Sequence, residues 1–168
     1  MRVYLDNCAY NRPFDDQKDI IIRIETEAKL VIQQMIKDNE LALIWSDVLD
    51  YENNDNPFEE RRDKIAEWEA IASGRVEMND EVYEKARSYM ETGLKQKDAA
   101  HIACAVCGKG DYFIYDDILD DNKDRHLLMG FDGNGNLLEI LYNVIDDDTI
   151  RVFHAMKCTN EFIRLLNR

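Results

Sequence analysis

Five carboxylates stand where short apolar segments of the sequence end or where helices are predicted to begin. Asp6 directly follows the apolar residues Val-Tyr-Leu, and Asp116 and Asp117 directly follow the segment DYFIY. Glu52 follows a second apolar segment, LALIWS, and Asp98 opens the alanine-rich segment DAAHIACAVCG. Carboxylate oxygens are preferred ligands of Mg²⁺ and Mn²⁺, and clustered carboxylates repel one another unless a cation lies between them. The pattern therefore predicts an acidic metal site, provided that the fold brings these residues together.

Each acid also has an ordinary structural explanation. Asp6 could cap a turn, Asp98 could cap its helix by accepting backbone N–H groups, and Glu52 could lie on a solvated helix face. Ser46 is a good helix starter without any chemical role. His101 lies three residues after Asp98, and we expect a packed or hydrogen-bonded histidine rather than a catalytic base. The metal hypothesis depends on the acids as a set.

Strand-like and helical segments alternate up to about residue 117. Apolar residues recur at helical spacing over 16–39, and the runs 41–46 and 111–115 are typical of strands that are covered on both faces. Further helices are predicted over about 47–53, 57–73, 79–93 and 97–108. This alternation predicts an α/β domain with a parallel sheet, in which the carboxyl ends of the strands open onto one crevice.

The pattern changes at about residue 118. Three strand-like runs, RHLLMGF, NLLEILYNV and TIRVFHA, are separated by DGNGN and DDD, and the segment NEFIRLLNR follows them. We interpret the runs as antiparallel hairpins and the last segment as a short helix. The sequence therefore predicts an α/β domain over 1–117 and a β-rich extension over 118–168.

Composition restricts the classes of function. With 35 acidic and 21 basic residues the net charge is −14, so the chain lacks the basic surface of a charge-driven nucleic-acid binder. A nucleic-acid substrate would require bound cations at the acidic cluster. The four cysteines follow no disulfide framework, no secretory leader is apparent, and no apolar run approaches the ~18 residues of a membrane helix. We expect a cytoplasmic protein that does not insert into membranes.

Three segments, YLDNCAYNRPFDD, WSDVLDYENNDNPF and KQKDAAHIACAVCGKGDYFIYDD, resemble in order and spacing the PIN domain of VapC-like ribonucleases and toxins. The resemblance covers about residues 1–117. It implies a central parallel sheet flanked by helices, an acidic Mg²⁺ or Mn²⁺ pocket at the strand ends, and hydrolysis of RNA. It also implies an antitoxin partner and a homodimer.

The resemblance assigns the acids position by position. Asp6 matches the acid after the first strand, Glu52 the acid after the second strand, and Asp98 the acid that starts the K-D-A-x-H helix. Asp117 matches the fourth acid, but Asp116 occupies a position usually held by a small hydroxyl residue. Either of these two aspartates could therefore face the metal.

Three further residues are candidates for binding substrate. Asn7 follows the first acid, where many members of the family carry Thr or Ser, and could orient water or phosphate. Lys95 and Lys97 stand beside Asp98 and are candidates for contacts with phosphate, although exposed lysines usually serve solubility alone.

The extension departs from the PIN pattern and resembles the C-terminal hairpins of BrnT-like toxins over about 40 residues. No catalytic residue is carried over from that resemblance. Arg151 and His154 are the positions of interest, with ordinary strand residues as the simpler interpretation. The extension could complete the sheet, form a dimer contact or be a fusion remnant.

The sequence thus predicts a metal-dependent endoribonuclease, the toxin of a toxin–antitoxin pair. One alternative is an inactive PIN-like module that binds a protein, which the net charge and the unusual extension favour. The other is a metal-dependent phosphohydrolase of small substrates. Against this second alternative, Asn7 and Cys8 follow Asp6 where such enzymes carry an aspartate two positions on.

Overall fold

The computed structural model of the chain describes residues 1–115 and the backbone of three strands at 126–131, 137–146 and 149–157. Strands and helices alternate in the first part. Its strands are β1 (Arg2–Leu5), β2 (Ala42–Ser46), β3 (Gly74–Val76) and β4 (Tyr112–Ile114). Its helices are α1 (Asn7–Asn11), α2 (Ile20–Lys37), α3 (Asp47–Asn54), α4 (Glu59–Ala66), α5 (Asp80–Glu91) and α6 (Gln96–Cys107). Short 3-10 turns follow α1 and α4.

The strands form one seven-stranded sheet. The first four lie in the order β3-β2-β1-β4 and are all parallel, with register pairs such as Tyr4↔Ile44 and Leu5↔Ile114. Beyond β4 lie β5 (His126–Phe131), β6 (Leu137–Asp146) and β7 (Thr149–Lys157), each antiparallel to its neighbour. The predicted α/β fold, a parallel sheet flanked by helices with antiparallel hairpins after it, is confirmed.

The extension continues the sheet of the first part, because β5 pairs with β4 through Tyr112↔Gly130. Of the three roles considered for the extension, this pairing supports completion of the sheet. The predicted boundary at residue 117, the DGNGN turn and the terminal helix lie outside the described residues. The division into two domains stays a prediction.

The central strands are buried because their side chains are apolar on both faces. Tyr4, Ile44 and Trp45 are completely buried, and Leu5 and Phe113 are nearly so. This is the burial expected of a parallel sheet covered by helices on both sides, and it explains the continuous apolar runs in the sequence.

Helix α2 is the longest helix and lies within the segment that the sequence predicts to be helical, but the apolar spacing does not identify its buried face. Val31 is 60% exposed, whereas the polar residues Glu25 and Gln33 are buried. These two meet polar groups at the end of α1, since Glu25 lies 3.1 Å from Nε of Arg12 and Gln33 donates to the Ala9 carbonyl. No helix in residues 1–115 is long and apolar enough to cross a membrane.

Candidate metal centre

Asp6 lies at the carboxyl end of β1, where the sheet opens. Its backbone N–H donates to the Ile114 carbonyl at 3.0 Å, which fixes it beside the end of β4. Its carboxylate accepts the backbone N–H of Asn7 and so caps α1. The two explanations considered for Asp6, a strand-end acid and a cap, are therefore both correct. The side chain is only 8% exposed, so its position is closely constrained.

Glu52 reaches the same edge from the neighbouring strand. Ser46, the last residue of β2, caps α3 by accepting the backbone N–H of Leu49, as its residue type predicted. Glu52 lies on the short helix that this cap begins, with one carboxylate oxygen, Oε1, 3.4 Å from Nζ of Lys97. Because β1 and β2 are parallel neighbours, the residues that follow them meet at one end of the sheet.

His101 joins the two acids. Its Nε2 lies 2.9 Å from Oε2 of Glu52 and 3.4 Å from Oδ1 of Asp6. The ligand atoms of the three residues all lie within 4.8 Å of one another. The ring is buried and hydrogen-bonded, as the sequence predicted, but sequence reasoning did not place it among the site residues. Its spacing of three from Asp98, one turn along the same helix, was the available signal.

The opposite nitrogen of His101 meets a chain of hydroxyls. Nδ1 lies 2.8 Å from the Tyr4 hydroxyl, which in turn lies 2.6 Å from Oγ of Ser46. Burial raises the pKa of Tyr4 well above its usual value, so the phenol stays protonated.

Asp98 lies nearby on the first turn of α6, but its predicted capping role is wrong. The helix begins two residues earlier, at Gln96, with Lys95 in the cap position. Burial, followed by the negative charge of Asp6, raises the pKa of Asp98 to about 6. Asp98 therefore lies in the field of the acidic cluster although it is not among the three residues whose ligand atoms converge.

The charges of the cluster are strongly coupled. Burial raises the pKa of Asp6, and the neighbouring charge of Glu52 raises it further, although His101 opposes the shift. Burial also raises the pKa of Glu52, but the hydrogen bond and charge of His101, with Lys97, lower it overall. Burial lowers the pKa of His101, yet the charges of Asp6 and Glu52 outweigh that effect and raise it. The cluster concentrates negative charge that a cation would stabilise.

Of the other predicted site residues, the structure describes Asn7, Lys95 and Lys97 but not the two aspartates after β4. Asn7 begins α1, and its buried Oδ1 accepts no hydrogen bond from any described residue. Lys95 and Lys97 are exposed at the start of α6. The structure does not describe Asp116 and Asp117, which follow β4 within three residues of Ile114.

Arg151 and His154 lie on β7, where they pair with Asn143 and Leu141 of β6. Their side chains lie outside the described part of the chain.

The donor set of the cluster fits a divalent cation. Two converging carboxylates suit Mg²⁺ and Mn²⁺, whereas imidazole nitrogen is more typical of zinc, copper and iron sites. Nε2 of His101 already lies at hydrogen-bond distance from Glu52. The arrangement thus offers the acids to a hard cation and holds them with the histidine.

Comparisons with known proteins add one likeness. No protein-family model and no curated protein matches the chain. The chain is similar to one in a solved structure, the crystal structure of VapBC2 from Rickettsia felis bound to a DNA fragment from its promoter. The match spans 70% of this chain and 89% of the VapBC2 chain, at 10% sequence identity and a TM-score of 0.42. A likeness of this size does not assign the chain to a family.

Proposed function

We propose that the chain is a metal-dependent endoribonuclease of the PIN type, which hydrolyses RNA phosphodiesters at the acidic edge of its parallel sheet. The observation that carries the proposal is the convergence of Asp6 and Glu52 on His101, each reached from a different element of the sheet edge. The sequence resemblance to PIN domains supports the reaction class.

Asp6 and Glu52 would hold Mg²⁺ or Mn²⁺, directly or through water, and Asp98 with Asp117 or Asp116 would complete the set. The metal would supply Lewis acidity toward the phosphodiester and lower the pKa of a water molecule. The protein residues would fix the geometry around it. Because Glu52 is anchored to His101 and Asp6 to the ends of β1 and β4, little rearrangement is needed for a cation to bind.

Three polar residues would contact the substrate. Asn7 carries a buried carbonyl oxygen that none of the described residues satisfies, which suits an amide that orients water or phosphate. Lys95 and Lys97 are exposed beside the acids, and Lys97 already lies within 3.4 Å of Glu52. They would contact phosphate groups as the RNA approaches.

The net charge of −14 makes the cation a requirement for RNA binding. The field of the protein repels a polyanion, and a divalent ion would reverse the sign locally. By the sequence resemblance, we also propose a cytoplasmic toxin that forms a homodimer and is inhibited by an antitoxin protein.

The direct test is cleavage of a panel of single-stranded and hairpin RNAs with Mn²⁺, Mg²⁺ or EDTA. We expect cleavage only when Mn²⁺ or Mg²⁺ is present. The rate of cleavage should fall by about 10–100-fold or more in Glu52→Gln and Asp98→Asn. Glu84→Gln and Asp63→Asn, at exposed positions on α5 and α4, are the matched controls and should cleave as the wild type does.

A folded wild type that cuts no RNA under any of these conditions would refute the proposal and favour a binding module. Activity on a small phosphate ester without any on RNA would favour the phosphohydrolase.

A further inference from the structure

A buried hydrogen-bonded chain leads from the core of the sheet to the candidate metal centre. It begins at Ser46, passes through the Tyr4 hydroxyl to Nδ1 of His101, and leaves the ring from Nε2 toward Glu52. Ser46, Tyr4 and His101 are all 1% exposed or less. Such a chain is held away from water and must be satisfied by its own members.

The acids determine where the protons of this chain lie. An ionised carboxylate only accepts hydrogen bonds, so Nε2 of His101 must carry a proton in order to donate to Glu52. When the ring is neutral, Nδ1 then accepts from the Tyr4 hydroxyl, whose oxygen accepts from Ser46. When the ring is cationic, Nδ1 donates to Tyr4 and the Tyr4 hydroxyl donates to Ser46. Reorienting two hydroxyl hydrogens serves both states without moving a side chain.

Packing alone does not account for the hydroxyl of Tyr4. Its ring lies 5.8 Å from the rings of Phe113 and His101, contacts that phenylalanine would also make. A buried hydroxyl costs stability unless it is hydrogen-bonded, and both partners of this one belong to the edge of the site. Tyr10 is similarly buried at 2% exposure, but its hydroxyl has no hydrogen-bond partner among residues 1–115.

We propose that Tyr4, supported by Ser46, is a positioning residue of this site. It holds the His101 ring so that Nε2–H stays directed at Oε2 of Glu52, which keeps that carboxylate in place beside Asp6, where a cation would bind. The inference rests on the proposed function for the role of that cation in RNA hydrolysis. Tyr4 itself would touch neither the metal nor the RNA.

The test is NMR of the histidine ring nitrogens in the metal-free, full-length chain over a range of pH. The chain has three histidines, so His101 can be assigned by substitution. In the wild type we expect Nε2 of His101 to carry a slowly exchanging proton at every pH in the range. Tyr4→Phe should abolish this slow exchange, while Tyr10→Phe, which removes an equally buried hydroxyl, should leave it unchanged.

Metal affinity gives a second readout that does not require RNA. Titration with Mn²⁺ alone should show about a tenfold weaker affinity in Tyr4→Phe and wild-type affinity in Tyr10→Phe. A merely structural role would lower the thermal midpoint of Tyr4→Phe alone, because only the Tyr4 hydroxyl is hydrogen-bonded, and would leave its ring signals and Mn²⁺ affinity equal to those of Tyr10→Phe.

Two results would overturn the inference. One is a neutral His101 protonated on Nδ1 in the wild type, which decides the matter even where Tyr4→Phe does not fold. The other is a folded Tyr4→Phe protein with unchanged ring signals and unchanged Mn²⁺ affinity. A wild type that shows the expected signals but cuts no RNA would refute the nuclease and keep the positioning role.

Discussion

The ionisation of Asp98 depends on its burial and on the charge of Asp6. Its pKa in the folded protein is about 6, raised from 3.8 first by burial and then by the charge of Asp6. The folded state therefore holds this proton more tightly than the unfolded state does. The stability that the protonated carboxyl contributes is complete below about pH 4 and is lost as the pH rises through about 6.

We predict that Asp98→Asn raises the free energy of unfolding at neutral pH, because the amide removes a half-buried charge that Asp6 repels. The gain should shrink as the pH falls through about 6 and be small at about pH 4, where the wild-type carboxyl is protonated in the folded state and about half protonated in the unfolded state. Urea denaturation at both pH values measures the difference, with Asp63→Asn as an exposed control. A variant no more stable than the wild type at neutral pH would contradict the assigned environment of Asp98.

At the residue scale, the sequence predicted that Asp6 and Glu52 lie close together, but it did not predict the contacts of His101 that hold them. Asp6 and Glu52 follow buried strands, and parallel strands bring such residues to one edge, so their proximity could be predicted. The contact of His101 with Glu52 spans 49 positions and that with Tyr4 spans 97. Both depend on the rotation of α6 against the sheet, which no local pattern specifies.

At the scale of elements, α3 and α5 begin with the same device. Ser46 caps α3 by accepting from Leu49, and Asn79 caps α5 by accepting from Val82. Helix α3 carries Glu52, while α5 contributes nothing to the three-residue cluster. The two caps form a matched pair for separating stability from the site.

Ser46→Ala and Asn79→Ala should each lower the free energy of unfolding by about 1 kcal/mol. Ser46→Ala should in addition weaken Mn²⁺ binding, because Ser46 also supports the Tyr4 hydroxyl. Chemical denaturation and metal titration of both variants measure the two effects. Equal Mn²⁺ affinity in the two variants would show that the cap serves the helix alone.

The elements that the sequence missed lack a local signal. Strand β3 has three residues, and Arg75 at its centre is exposed, so it shows no apolar run. It pairs with β2 in the structure, and the Arg75 guanidinium contacts three acids, Asp47, Asp50 and Glu69. Aspartate favours the cap position of a helix, so the sequence predicts a cap at Asp98, but α6 includes this residue as its third.

At the scale of the whole molecule, the extension and the parallel part share one sheet. The sequence predicted both parts from their different patterns, one of parallel strands with helices and one of hairpins. It could not predict that β5 pairs with β4, because either edge of the sheet or another chain could accept a strand. The pairing covers β4, whose neighbour on the other side is β1.

Truncating the chain after residue 120 should therefore lower the free energy of unfolding and promote self-association, because it leaves β4 as a bare edge. Size-exclusion chromatography and urea denaturation of the truncated and full-length proteins measure both effects. A truncated chain with the same oligomeric state and the same stability as the full-length protein would show that β5 contributes nothing to the parallel part.

The central claim is that Asp6 and Glu52, held in place by His101, form a metal site, and calorimetric titration with Mn²⁺ tests it most directly. We predict that the wild type binds Mn²⁺, that Glu52→Gln binds about 10–100-fold more weakly, and that the exposed control Glu84→Gln binds as the wild type does. Wild-type and Glu52→Gln proteins with the same affinity, or a folded wild type that binds no Mn²⁺, would contradict the account.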